Sequence, residues 1–458
     1  MRPSRVVPLA VLGALLLQTG CAPDKRPLPP EAHLEVPAGW RTQSGPVAPV
    51  DEHGWQQFGD PQLTRLVEAA LQHNTDVLLA SSRVDIAREQ INLSRASLLP
   101  SLDAVLGVGR SQELGVLGIS RSTAVQPGLQ LFYEVDVWGR LRRLREAADV
   151  QYQASQAERD TVRLAVASTT ARAYVSLLSL DMQRYVTLET VESRLQSLRL
   201  AEDLAEMGYS SELELTQAQS EYEAAAQLLP QIGQAIAEQE NALRLLTGQL
   251  PGPIERGGDL LALALPPLPG ALPSELLRRR PDIRQAELVL AASDLNLDAQ
   301  RDRFLPQVQL SASVGRLYVN ALDFDPVRVW DIGASVLAPL FSGGRLEAGV
   351  AVATAQRDQA AYAYRASALN AFAEVENALS AVQNSAEQIR RLTARRETLA
   401  RSLAIAEDRY RSGYSSYLAA LDAQRNLFNT ELAAVQAREA QLNALISLYQ
   451  ALGGGWTP

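Results

Sequence analysis

A chain of 458 residues, 47% hydrophobic but only 5% aromatic, has room for two or three ordinary domains. Its abundant alanine suits close-packed helices better than a large mixed core. The formal charge of −9 is spread without a basic stripe, which argues against nucleic acid as a partner, and a single cysteine, Cys21, excludes any disulfide within the chain.

Arg2 and Arg5 form a basic start, and Val6 to Leu17 an apolar run too short to span a bilayer. Thr19-Gly20 precede Cys21, so residues 1–20 resemble a bacterial lipoprotein signal, with Cys21 as the acylated first residue of the mature chain. Gln18 departs from that motif, which usually carries an apolar residue there. The alternative is an ordinary secretory signal followed by an incidental cysteine. Residues 21–54 contain Pro23, Pro27, Pro29, Pro30, Pro37, Pro46 and Pro49, a composition that favours an extended tether. A lipid on such a tether anchors a chain to a membrane without spanning it.

The first structural unit is expected over 55–250. A helix starts near Gln62 and yields at Pro100 to period-two patterning. Leu102, Ala104, Leu106 and Val108 make one strand (about 101–110). Leu129, Leu131, Tyr133 and Val135, alternating with Gln130 and Glu134, make a second (about 127–138), with a loop near 111–124. Arg140 to Met207 then contains neither Gly nor Pro, and Leu188, Val191, Leu195 and Leu198 recur at the three-and-four spacing of a packed helix. Such a segment would reach roughly 100 Å. It stops at Gly208-Tyr209-Ser210-Ser211, where Gly ends one helix and Ser caps the next, and the chain returns as helix to Leu246. Residues 251–273, rich in Pro and Gly, form a connector without a core of its own.

The remainder, 274–454, repeats this plan. Asn74–Arg110 lies over Arg280–Arg316 at an offset of 206, and Gly128–Gly248 over Gly333–Gly453 at 205. The second copy predicts strands at about 307–317 and 330–341 and a helix tip at 413–416, where Gly413-Tyr414-Ser415-Ser416 repeats the first tip. A unit this long is a duplicated half-domain, not a short solenoid repeat.

Four strands cannot stand alone in lipid, because open edges leave backbone groups unpaired, and single-chain barrels need about eight. Four per chain therefore imply subunits that share one barrel, continued by a helical tube. The resemblance is specific. Arg279-Arg280-Pro281-Asp282-Ile283-Arg284-Gln285-Ala286-Glu287, Tyr133-Glu134-Val135-Asp136-Val137-Trp138-Gly139-Arg140, Phe58-Gly59-Asp60-Pro61, and the segment from Gly413 through Leu418 to Asp422 and Arg425 resemble hallmarks of the outer membrane efflux protein family, across about residues 55–453. With the signal, the chain looks like its lipid-anchored branch.

That resemblance implies a mainly helical fold: two β-hairpins per chain in a trimeric twelve-stranded transmembrane barrel, continued by a periplasmic α-barrel. It implies a passive outer membrane exit duct for drugs or other small molecules, a homotrimer set in outer membrane lipid. The duct would dock on a periplasmic adaptor coupled to an inner-membrane transporter of the resistance-nodulation-division class. It implies neither enzyme activity nor cofactor; His33, His53 and His73 lie far from any metal-ligand spacing, and no phosphate-binding loop or nucleophile motif appears. It places the periplasmic gate at Leu418 and Asp422, with Tyr410 and Glu214 tying neighbouring hairpins, and adaptor docking at Gly208, Tyr209, Ser210, Gly413, Tyr414 and Ser415. Read alone, Asp422 is also an ordinary solvated carboxylate, Tyr410 a seam residue, and Arg279, Arg280 and Arg284 a charged helix start. The rival architecture is a coiled-coil spacer lipoprotein without a pore, which leaves the strand pairs unexplained. A duct for protein secretion is the other reading within the same family.

Overall fold

The computed structural model describes residues 27–42, 55–115, 118–268, 273–320 and 326–454. The expected signal and Cys21 lie outside these residues. The chain forms thirteen long elements among them: α1 (Pro61–His73), α2 (Thr75–Ala96), β1 (Ser101–Gly115), β2 (Gly118–Val135), α3 (Arg140–Glu206), α4 (Glu212–Ala226), α5 (Leu228–Leu246), α6 (Pro273–Arg279), α7 (Pro281–Arg301), β3 (Gln307–Val319), β4 (Val327–Leu337), α8 (Arg345–Arg411) and α9 (Tyr417–Ala451). Two compact units share them. Among the described residues, one holds those within 27–34, 83–156 and 285–366; the other holds those within 35–82, 157–284 and 367–454.

The first unit carries the sheet, antiparallel throughout in the order β1-β2-β3-β4. The β1–β2 ladder outruns the expected strands, reaching Gly115 opposite Gly118 where a loop was read from 111. Polar cross-strand pairs sustain it beyond the apolar run: Ser111 and Ser122 hydroxyls meet at 2.9 Å and Arg121 donates to Gln112 at 2.8 Å. Pro127 offers no N–H, and the β2–β3 ladder skips it; Gly128 and Gly315 face each other beside the gap. At the base of β2, Asp136 accepts from the backbone N–H groups of Leu141 and Arg142 at 3.0 and 2.9 Å and so caps α3. Gly139 turns the chain with φ of 87°, Glu134 pairs with Arg140 at 2.7 Å, and Trp138 donates to the Pro306 carbonyl.

In the second unit the first incoming helix is broken at Asn74, where a single helix from Gln62 was expected, while the second starts at Pro281 as expected and is preceded by the short α6. The two boundaries are repeat mates. Asn74 separates α1 from α2, caps Asp76 N–H, and donates to the Leu246 carbonyl at 3.0 Å. Arg280 separates α6 from α7 and donates to the Ala451 carbonyl at 3.0 Å, while pairing with Asp282 and Glu374; it is a structural cation. In both halves the glycine after the return helix, Gly248 or Gly453, presses on the carbonyl of His73 or Arg279, too close for a Cβ. The first return helix is also broken, at Gln227, where Pro230 falls in the opening turn of α5. Residues 251–268 of the connector form no helix or strand but bury Ile254, Leu260 and Leu263, and Arg256 binds Asp181 and Glu240.

Asp60 of the Phe-Gly-Asp-Pro motif caps α1 at Gln62 and Leu63 N–H and accepts from the buried Tyr174 hydroxyl at 2.9 Å. Burial raises the pKa of that phenol, which in turn accepts from Gly257 N–H. Asp60→Ala removes a cap and strands a buried donor. The expected cost is about 2 kcal/mol, read as a lower apparent melting temperature.

Residues 27–42 of the expected tether are not free. In the first unit buried Arg357 donates to the Pro27 carbonyl at 3.1 Å. In the second, Glu376 accepts from Arg41 N–H and the Thr42 hydroxyl, and Trp40 packs 6.0 Å from Phe372.

Candidate functional site

The two helix tips close by the same device. Gly208 and Gly413 take φ of 75° and 74°, and Tyr209 and Tyr414 N–H return to the carbonyls of Leu204 and Arg409 at 2.8 Å each. This is the left-handed stop that glycine allows. Tyr209 and Tyr414 are 81% and 79% exposed, so both tips present an uncovered aromatic. Ser211 caps α4 through Glu214 N–H, whereas Ser416, at the matching place, makes no side-chain cap. Its substitute comes from the other hairpin: Glu214 accepts from Tyr417 N–H at 3.4 Å, held by the Ser210 hydroxyl at 2.9 Å. A carboxylate at that helix start is favourably placed.

Tyr410 packs its ring 5.4 Å from Tyr417. Within one chain, then, Glu214 and Tyr410 meet around Tyr417, not through a direct hydrogen bond. Tyr417 lies with Leu198, Ala201, Ala218 and Leu421 in the apolar cluster joining α3, α4 and α9, and burial pushes its phenol up to about 12. Leu418 and Asp422, four residues apart, share one exposed face of α9. The Asp422 carboxylate forms no ion pair among the described residues. Gln217 stands at its repeat position in α4.

Sequence reading missed the ionic knot behind this face. Glu221 of α4 meets Arg194 of α3 at 3.1 Å and also binds Arg425 of α9. Arg194 donates to the Glu221 carbonyl at 2.7 Å and lies over the Phe428 ring. Hydrogen bonding from Arg425 holds the Glu221 carboxyl below its ordinary value, against the opposing effect of burial. The signal was present as broken symmetry: the repeat mates of Arg194, Glu221 and Arg425 are Leu399, Asn426 and Ser220. Five buried polar atoms around the tip, on Arg194, Tyr410, Ser415, Tyr417 and Gln424, have no hydrogen-bond partner.

The sheet of the first unit is a separate candidate surface. Its even face in β1, carried across by Leu102↔Leu131, Leu131↔Ala312 and Ala312↔Ile332, is apolar yet exposed, with Leu106 at 68% and Ile332 at 76%. The opposite face carries Asp103, Gln130, Glu134, Ser311, Ser313, Asp331 and Ser335, with Val105 and Phe132 also exposed on it. One face suits lipid and the other water.

A family model described as "Outer membrane efflux protein" matches residues 66–249 and 272–454. The chain is 33% identical to the pyoverdine export outer membrane protein OpmQ of Pseudomonas putida, over 94% of each chain. It is also 33% identical to the probable efflux pump outer membrane protein TtgC of the same species, over 98% of this chain and 95% of that one. The solved structure of the outer-membrane channel OprN superposes with a TM-score of 0.86 at 29% identity, covering 96% of this chain and all of that one (100%).

Proposed function

Because this chain belongs to the outer membrane efflux protein family, we propose that three copies build one continuous exit duct for an efflux pump, passing small molecules across the outer membrane. The observation that carries this reading is the four-stranded sheet with open edges at β1 and β4 and an exposed apolar face. Such a sheet is stable in lipid only when other copies close it, and three give twelve strands, within the range of known barrels.

In this duct α3, α4, α8 and α9 line the periplasmic tube, and Cys21 carries a lipid that holds the N-terminus to the membrane. The turns at Gly208-Tyr209-Ser210 and Gly413-Tyr414-Ser415 receive a periplasmic adaptor through their exposed tyrosines. An inner-membrane transporter, of the resistance-nodulation-division class, supplies the energy. OpmQ and TtgC, named for export and efflux, favour small-molecule cargo over secreted protein. Electron microscopy of the detergent-purified mature protein tests the assembly: a hollow three-fold cylinder with a membrane-thick collar is expected, and a thin solid rod would return the spacer reading.

Leu418 and Asp422 form the narrow rings. Three carboxylates brought together there repel one another and draw cations into the constriction. Asp422→Ala therefore raises single-channel conductance in planar bilayers severalfold and weakens cation preference. Unchanged conductance and selectivity would remove Asp422 from the gate.

A further inference from the structure

We propose that four arginines on the lipid-facing side of the sheet form a belt that binds the phosphate groups of outer-leaflet glycolipid headgroups. The strands segregate charge by face. Their four arginines, Arg110, Arg121, Arg316 and Arg328, stand one per strand on the face that carries Leu102, Leu131, Ala312 and Ile332. Their four acids, Asp103, Glu113, Glu134 and Asp331, all stand on the opposite face. Each arginine lies on the hairpin side of its strand's apolar run, at the end of the sheet away from the helices.

All four are exposed. Arg121 donates to the neutral Gln112 amide, and Arg110, Arg316 and Arg328 have no partner among the described residues. Moreover, Arg316 and Arg328 are direct cross-strand partners, an arrangement that destabilises a sheet when nothing offsets it. A phosphate accepting from both guanidiniums reverses the sign of that term, through charge-assisted and bidentate bonds. Trp330, 70% exposed and two residues from Arg328 on the same face, marks the headgroup level, where barrel aromatics gather. The register sets these cations at two levels, the Arg316–Arg328 pair beside Trp330 and Arg110 with Arg121 nearer the tip of the first hairpin, and both suit an anionic lipid surface. Repetition in three copies would set twelve arginines around the barrel.

The inference rests on the duct reading for the lipid-facing side of the sheet, the three copies and which leaflet the hairpin ends meet. Its test places the mature protein in phosphatidylcholine nanodiscs, alone or with bisphosphorylated lipid A, dephosphorylated lipid A, or millimolar inorganic phosphate. Bisphosphorylated lipid A is expected to raise the apparent melting temperature by about 5 °C, with no comparable rise from the other two additives. R316Q/R328Q is expected to lose most of the rise while its conductance in planar bilayers stays normal, which separates the belt from the duct itself. An equal rise with dephosphorylated lipid A would assign the effect to acyl contacts, and one with inorganic phosphate to simple anion binding; either overturns the belt. A full rise retained by R316Q/R328Q does the same. Should that variant fail to assemble, the two lipid A forms still decide the question on the unaltered protein.

Discussion

Gly315→Val abolishes formation of the membrane-embedded oligomer. A Cβ at this position would lie 2.6 Å from the Pro127 carbonyl oxygen and 3.1 Å from the Gly128 Cα. Both are backbone atoms of the neighbouring strand, so no rotamer change relieves the contact. The approach is tight because Pro127 contributes no N–H to the ladder, and the two glycines bring β2 and β3 together beside the gap. A valine would push the strands apart where the first hairpin meets the second, and that junction joins the two repeats into one sheet. The cost exceeds the ordinary range for a single substitution, roughly 4 kcal/mol or more, and a sheet split there leaves two isolated hairpins, marginal in any solvent. The check is outer membrane fractionation with unheated gel electrophoresis. The native protein should run as an intact oligomer and the variant should be absent from that band. Gly109→Val, at a glycine with nothing within 4 Å of its Cβ, serves as the control and should assemble. A stable oligomer from Gly315→Val would mean that β2 and β3 do not pack in the assembled barrel as they do here.

The sequence exposed the architecture through its own duplication. An offset of 205 or 206 residues, period-two stretches, and long runs free of Gly and Pro were enough to place four strands and two helical hairpins. Both tips fell where Gly208 and Gly413 stop their helices. What escaped depended on contacts distant in sequence. The break at Asn74 looks like continuous helix locally, and it is the Leu246 carbonyl, waiting at the end of the return helix, that receives the Asn74 side chain; the matching boundary at Arg280 was marked by Pro281. The first hairpin was read too short at its tip because alternation was judged by apolar residues, while Ser111, Gln112, Arg121 and Ser122 continue the ladder with polar pairs; at the helix ends the expected strands to 138 and 341 were too long, since β2 stops at Val135 and β4 at Leu337. At the tip Leu418 and Asp422 came from the resemblance of the Gly413–Arg425 segment to the family, since read alone Asp422 is an ordinary solvated carboxylate. Glu221 was missed, since a glutamate on a helix reads as solvated until its partners from two other helices are known.

Duplication also explains why the tip has a lock as well as a symmetric frame. Arg194, Glu221 and Arg425 stand where the other half carries neutral residues, so the knot ties the two hairpins together in one direction only. Glu221→Gln is expected to lower the apparent melting temperature by several degrees and raise basal conductance. The physical cause is Arg194, whose side chain is 6% exposed against 9% for Glu221. Removing the carboxylate leaves that guanidinium buried beside a neutral amide, at a cost of about 3 kcal/mol. Replacing both, as Arg194→Met with Glu221→Leu, removes the stranded charge together with its partner and should restore much of the stability. Acidity provides an independent reading. The Glu221 carboxyl is held below its ordinary value, first by hydrogen bonding from Arg425. Its contribution is therefore complete above the ordinary carboxylate range and is lost as pH falls through the depressed value. Wild-type conductance should rise only in that acidic window, whereas Glu221→Gln should already conduct at neutral pH as the wild type does in acid. If Glu221→Gln matches the wild type in melting, in conductance and in its response to acid, the knot is packing alone and holds nothing shut.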